Sequence, residues 1–469
     1  MPFNSLKFLL ILPLIFVVHW AIPARYNQWR KVFLIFVSYL LYMNWKPAFA
    51  LVLLGVTLIT FGGGYLLDAQ EDPKKRRRVA WLFAMLGLLP LLVFKYYNFL
   101  NDSLSTGLSA IELRFAMPGL NWAVPVGISF FTFQAVGYML DVYHGRIKAE
   151  KNFVDYLLFV SFFPQIASGP ISKADELLPQ IKKERVFNYN QAVSGLRYLL
   201  WGMFLKVVLA DRAGIYVDTV FGAYEKFSGV GAALASVLYS VQIYADFAGY
   251  SLMAVGIAKT LGFDLINNFN RPYFASSVTE FWKKWHISLT RWLTQQVYIP
   301  LGGSRCSKVK NYWNILVTFL VSGIWHGANW TFIIWGILHG LCQIAEKALG
   351  LNKKESKGIV KAARVLATFV IVTVAWVIFR SQSVGDAVGF LSRYVVTSGK
   401  AIADIQTLLY VVVAIIPLLM LEFGQELSPR AFGKLMSIAV VRWTAYLAVF
   451  SMIILLGVHD GSSFIYVSF

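Results

Sequence analysis

The chain has 469 residues, 58% of them hydrophobic and 14% charged, where soluble domains carry roughly 45–50% apolar and about 25% charged residues. A mean hydropathy of +0.60 over this length argues against two or three soluble domains and for an all-α polytopic membrane protein. The formal charge of +19 does not call for nucleic acid as a partner: most basic residues sit in short polar clusters between apolar runs, where the positive-inside bias places them. Cys306 and Cys342 allow at most one disulfide and form no metal motif.

Apolar runs near 8–24, 32–46, 48–67, 79–97, 122–140, 229–258, 364–380, 405–423 and 443–458 are each long enough, or nearly so, to cross a hydrocarbon core of about 30 Å. Lys7 precedes the first run while Arg25, Arg30 and Lys31 follow it, which predicts an N-terminus outside. Alternation then puts Lys74, Lys75, Arg76, Arg77 and Arg78 inside, 98–120 outside, and His144, Arg146, Lys148 and Lys151 inside. Residues 153–168 are apolar and end at Gly169-Pro170, yet Lys182, Lys183 and Arg185 follow, so a re-entrant segment is expected rather than a crossing. The run 312–346 would reach about 52 Å as one helix, too long for one span. Lys308 and Lys310 before it and Lys347, Lys353 and Lys354 after it predict a second re-entrant hairpin. Its legs are expected to hold about 14–18 residues, with the tip from Gly323 to Asn329 deep in the membrane. The expected architecture is one integral domain, 1–469, of about nine spanning helices, two re-entrant segments and interfacial helices.

Among the histidines, His19 and His459 lie near span ends and His144 in a basic loop, where hydrated or interfacial roles are expected. His339 is thirteen residues past His326, nearly opposite on a continuous helix, without the i, i+4 spacing of a zinc pair, so no metal is expected. His326 at the hairpin tip places an ionisable group at depth, where polar side chains are costly and mark pathways or reaction sites. On a helical wheel Phe281, Trp282, Trp285, Leu289, Trp292 and Leu293 form one stripe while Lys283, Lys284 and Arg291 point away. That pattern predicts a helix along an interface, with His286 at the edge of the buried stripe. Asp246 interrupts an apolar run and requires a partner, a histidine or an arginine. Arg197 and Lys206, on a semi-polar helix, read equally as snorkelling or functional. With no P-loop, dinucleotide fingerprint or Gly-x-Ser-x-Gly elbow, a buried histidine is the best chemical handle, and enzyme and transporter stay equally open.

Several blocks resemble the membrane-bound O-acyltransferase family, in its bacterial branch related to alginate O-acetylation. They are 124–134, Phe162-Phe163-Pro164-Gln165 with Gly169-Pro170-Ile171, and Asp246-Phe247-Ala248-Gly249-Tyr250-Ser251. Further blocks are Asn268-Phe269-Asn270-Arg271-Pro272-Tyr273, Phe281-Trp282 with Trp285-His286-Ile287-Ser288-Leu289, 298–303, Trp325-His326-Gly327-Ala328-Asn329-Trp330 and the closing 464–466. The likeness covers most of the chain and is densest over 122–340.

The resemblance implies a central tunnel in a bacterial inner-membrane enzyme, where acetyl from cytoplasmic acetyl-CoA meets a hydroxyl of an extracytoplasmic acyl-acceptor protein or a cell-surface polysaccharide. It implies that His326 is general base or transient acyl carrier. His286 would position the thioester or stabilise charge, and Asp246, Asn329 and Gln134 would be polar residues of the tunnel or its frame. Lys283 and Lys284 could attract the phosphates of coenzyme A, against simple interfacial anchoring in membrane lipid. At Leu252-Met253 the chain is closer to the D-alanine-transfer relatives of teichoic acid, which keeps D-alanyl transfer open beside a proton-coupled transporter or flippase.

Overall fold

Apolar runs in lipid become helices because a helix satisfies its backbone groups without water. The computed structural model describes residues 2–109, 111, 117–351 and 356–458. Lys353, Lys354, His459 and 464–466 lie outside the described residues. Among those described there is no strand beyond one isolated bridge, Phe227 with Lys400. The chain divides into two compact units, one formed by Met1–Leu196 with Ala254–Ile266 and the other by Arg197–Met253 with Asn267–Ser468.

In the first unit, α1 (Leu6–Ala21) and α2 (Asn27–Met43) replace the first two expected spans. The chain bends by 104° between them, at Pro23, whose ring cannot continue the helix. Two long helices follow, α3 (Pro47–Ala69) and α4 (Pro73–Ser109). The expected span 122–140 is a 16-residue helix, α5 (Ile128–Tyr143), buried along most of its length. Its start at Gly127 needs glycine twice over: φ is +72°, and a Cβ there would meet the Ile166 carbonyl oxygen at 2.0 Å. The apolar stretch 153–168 forms only α6 (Phe153–Ser161) and one further turn, Phe163–Ile166. Nine residues of helix reach roughly 14 Å and cannot span. A buried Lys31–Asp155 ion pair at 2.6 Å and the Tyr156 hydroxyl on Thr60 Oγ1 at 2.7 Å tie α6 to α2 and α3. Gln134 Nε2 and Gln165 Nε2 both donate to the Phe159 carbonyl, at 2.5 and 2.8 Å. The short helix α7 (Ala174–Lys182) completes the unit's labelled elements.

Helices α8 (Tyr189–Phe221) and α9 (Gly229–Thr260) contribute residues to both units. In the second unit they touch through Gly202 and Gly249, where a Cβ on either would meet the other's carbonyl oxygen at 2.6 and 2.8 Å. Small residues at this crossing let the backbones approach. The unit continues with α10 (Val278–Lys284), α11 (Ile287–Leu293), α12 (Lys308–His326), α13 (Trp330–Ala348) and α14 (Gly358–Arg380). It ends with α15 (Val384–Ser392), α16 (Ile405–Leu427), the short α17 (Pro429–Ser437) and α18 (Ala439–Leu456).

By length and composition seven described helices can cross a membrane, or up to eight if the bent α1–α2 pair is one span, against the nine expected. One of them, α8, was absent from the expected set. Its charges Arg197, Lys206, Asp211 and Arg212 interrupt the apolar run and hide a 33-residue helix from a hydropathy reading.

Candidate active site: two histidines around Trp325

The stripe from 281 to 293 is not one interfacial helix. Helix α10 starts under a Ser277 side-chain cap, with Glu280 N donating at 3.0 Å, and stops at Trp285. His286 then takes φ +44°, ψ +54°, a left-handed conformation that L residues rarely adopt, before α11 begins. Asn268 over-determines this kink. Its carbonyl accepts from Ile287 N at 3.0 Å, its side-chain oxygen accepts from Ser288 N at 3.1 Å, and Asn270 N donates to the Lys284 carbonyl at 3.0 Å. The break turns Trp285, His286 and Leu289 into the core, each no more than 1% exposed. The basic residues split from them: Lys283 is exposed, and Lys284 pairs with Glu280 at 2.8 Å. Complete burial pushes the His286 imidazole far below its ordinary value, to about 3, so it is neutral near pH 7.

The run 312–346 is a hairpin, as expected, but its legs are longer. Helices α12 and α13 have 19 residues each, roughly 28 Å, against the expected 14–18. They cross at Gly323 and Gly336, where a Cβ would strike the Phe332 and Phe319 carbonyl oxygens at 2.3 and 2.4 Å. Asn329 ends the turn: its side-chain oxygen caps Thr331 N at 3.0 Å, and its Nδ2 donates to the Gln382 carbonyl at 2.7 Å. Gln382 lies just past the end of α14, so the tip is level with the end of a spanning helix, where the shorter legs were expected to stop a little short of the far interface.

Rings organise the space between. His286 meets Trp325 with centroids 5.6 Å apart, and Trp325 meets His326 at 4.9 Å. His326 also touches Trp335 at 5.0 Å and Phe379 at 5.2 Å. Trp335 reaches His339 at 4.8 Å, whose Nδ1 accepts from Trp282 Nε1 at 3.2 Å. The expectation that His339 lies opposite His326 therefore fails. The turn at Gly327–Asn329 ends the continuous helix that the spacing argument assumed, and both imidazoles contact the Trp335 ring.

Asp246 has a lysine for a partner, not a histidine or arginine. Lys206 Nζ lies 2.6 Å from Asp246 Oδ1 and 2.8 Å from Asp211 Oδ1, with all three side chains buried. Asp211 is five residues past Lys206, ordinarily a different helix face, but Phe204–Ala210 is π-helical and Asp211 N bonds the Lys206 carbonyl. The i+5 spacing of a π turn aligns the two. Lys206 is thus fixed in the core rather than snorkelling. The next residue on α9, Phe247, stands edge-on to His286 at 4.6 Å. Sequence reasoning missed Asp211, Phe247, Trp325 and Asn268; the last three lie inside quoted motif blocks, which was the available signal. Arg197 is exposed, over the Tyr446 ring at 5.7 Å. Gln134 belongs to the first unit, and Cys306 and Cys342 are free thiols. No group of three His, Cys, Asp or Glu suited to a metal occurs among the described residues.

Helices long enough to span define a multi-pass membrane protein, and two buried histidines sharing one tryptophan mark its candidate site. Residues 146–382 match the model of the membrane-bound O-acyltransferase family, MBOAT. The chain is 36% identical over 387 residues to a Pseudomonas aeruginosa protein named "Probable alginate O-acetylase AlgI", covering 82% of this chain and 72% of that one. It is 32% identical over 434 residues to a Helicobacter pylori "Peptidoglycan O-acetyltransferase", covering 86% and 81%. Identity to a Streptococcus thermophilus "Teichoic acid D-alanyltransferase" is 27% over 303 residues, covering 62% and 69%. The chain belongs to the membrane-bound O-acyltransferase family and is an acyltransferase.

Proposed function

We propose that this protein, working as one integral domain over 1–469, takes acetyl from cytoplasmic acetyl-CoA and transfers it at His326 to a hydroxyl on the far side of a bacterial inner membrane. The acceptor is an extracytoplasmic partner protein or the cell-surface polysaccharide itself. The names of the 36% and 32% identical relatives favour acetyl over D-alanyl as the group moved. His326 takes the proton of the acceptor hydroxyl, and His286, neutral near pH 7, steadies the donor carbonyl.

The observation that carries this reading is that the hairpin tip shares one end of the second unit with two loops. The tip bonds Gln382, and the α8–α9 turn pairs Phe227 with Lys400, so 222–228, 327–329 and 381–404 lie at that end. Counting α8 as a crossing puts Lys283, Lys284, Lys308, Lys310, Lys347, Lys361, Arg430 and Lys434 together on the opposite side. By the positive-inside bias that side is the cytoplasm. His326 then faces an acceptor arriving from outside while the donor enters from the basic side, where Lys283 is among the exposed cations. The N-terminus is outside if α1 crosses by itself.

The test is the full chain, purified and reconstituted with labelled acetyl-CoA and a hydroxyl acceptor. Release of free coenzyme A with acetylated acceptor is expected. A protein that moves label across the bilayer with the thioester intact is a transporter, and the reading is wrong.

A further inference from the structure

Asn268 is 1% exposed, and both of its oxygens are committed: the carbonyl to Ile287 N and Oδ1 to Ser288 N. The bond from Ser288 settles which way the amide faces, since a flipped amide would set one donor against another. Its Nδ2 therefore points away from α11, and among the described residues it has no hydrogen-bond partner. A buried donor left without an acceptor destabilises a fold, so an open Nδ2 beside a strained histidine is a site for a ligand's acceptor atom. The Nε1 groups of Trp285 and Trp335, both fully buried, are donors in the same condition.

The geometry points to Asn268 Nδ2 as a hydrogen-bond donor to the acyl carbonyl oxygen of the thioester, alongside His286. This rests on the acyl-transfer reading above. In that reaction the acceptor hydroxyl oxygen bonds to the acyl carbon as its proton passes to His326. The carbonyl oxygen gains negative charge; it then re-forms the double bond as the carbon–sulfur bond breaks, and the departing coenzyme A thiolate takes the proton back. A rigid amide donor is worth most at the moment of charge development, because it needs no reorganisation. Asn268 is suited to that task because Ser288 and Ile287 lock its orientation.

Asn268→Asp keeps the acceptor for Ser288 N and exchanges the donor for a carboxylate oxygen. At pH 8 the kcat of the folded fraction with acetyl-CoA is expected to fall about 100-fold, with KM for acetyl-CoA within about threefold. Relative to wild type at each pH, activity should recover as the new carboxyl protonates and becomes a donor, a signature that a purely structural residue would not give. Asn268→Ser, which retains a capping oxygen but no amide, guards against misfolding and should lose kcat in the same way. Either folded variant turning over at the wild-type rate overturns the role of Asn268 alone. Wild-type protein that consumes no acetyl-CoA overturns the functional reading and this role with it.

Discussion

Trp325 stands between the two histidines, its ring 5.6 Å from His286 and 4.9 Å from its chain neighbour His326. One histidine sits at a break between two short helices and the other at a hairpin tip, so this indole joins two separately folded pieces. The roles proposed for them can be tested apart because different backbones hold them.

His326→Ala should abolish acceptor acetylation while the protein still accumulates in the membrane, and donor binding should survive, as expected when a transition-state interaction is removed. His286 should instead chiefly affect acyl loading. His286→Gly is the better probe, since glycine accepts the left-handed backbone that would strain alanine by about 1–2 kcal/mol. Equilibrium binding and single-turnover transfer with labelled acetyl-CoA read both steps. Loss of binding in His326→Ala with normal loading in His286→Gly would mean the roles are reversed.

With Trp282 Nε1 donating to His339, His339→Ala leaves a buried indole N–H unpaired, at a cost of about 1–3 kcal/mol. Melting of the purified variant should therefore shift downward while the folded fraction keeps near-normal kcat. A loss of kcat without loss of stability would move His339 into the chemistry.

Removing one member of the Lys206–Asp211–Asp246 cluster strands a buried charge, typically at 3–5 kcal/mol, so Lys206→Met should collapse accumulation. The triple replacement Lys206→Met, Asp211→Asn, Asp246→Asn removes all three charges and should recover much of that stability. Thermal melting in detergent compares them. If the triple variant is no better than the single one, the cluster does more than satisfy itself.

Burial holds the His286 pKa near 3, against about 6.5 in an unfolded chain. The unfolded state thus binds the extra proton first. The associated stability is complete above about pH 6.5 and is lost as pH falls from there toward 3. Asn, which tolerates positive φ and does not titrate, should flatten that limb of the melting profile in His286→Asn. An unchanged profile would indicate that water reaches the imidazole.

In a background without Cys306 and Cys342, single cysteines at 225 and 400 should react with an impermeant reagent in intact cells, while 75, 308 and 434 stay protected. Labelling at 75 would reverse the orientation. Labelling of 225 and 400 from opposite sides would contradict the bridge between Phe227 and Lys400.

Read alone, the amino-acid order carried the membrane class and the hairpin at 312–346, and it singled out His326 and His286, which the fold brings to either side of Trp325. These follow from local apolar runs, basic flanks and motif blocks, all properties of contiguous residues. It could not reveal α8 as a span, because the hydropathy of Lys206 and Asp211 becomes tolerable only once Asp246 and a π turn neutralise them. It read 281–293 as one helix because the left-handed His286 is imposed by Asn268, which lies outside that segment. It placed His339 across from His326 because helix phase is meaningless past a turn. In each case the deciding term was a tertiary partner: burying a charge, straining a backbone or turning a helix is unfavourable locally, and only contacts brought from elsewhere in the fold offset it.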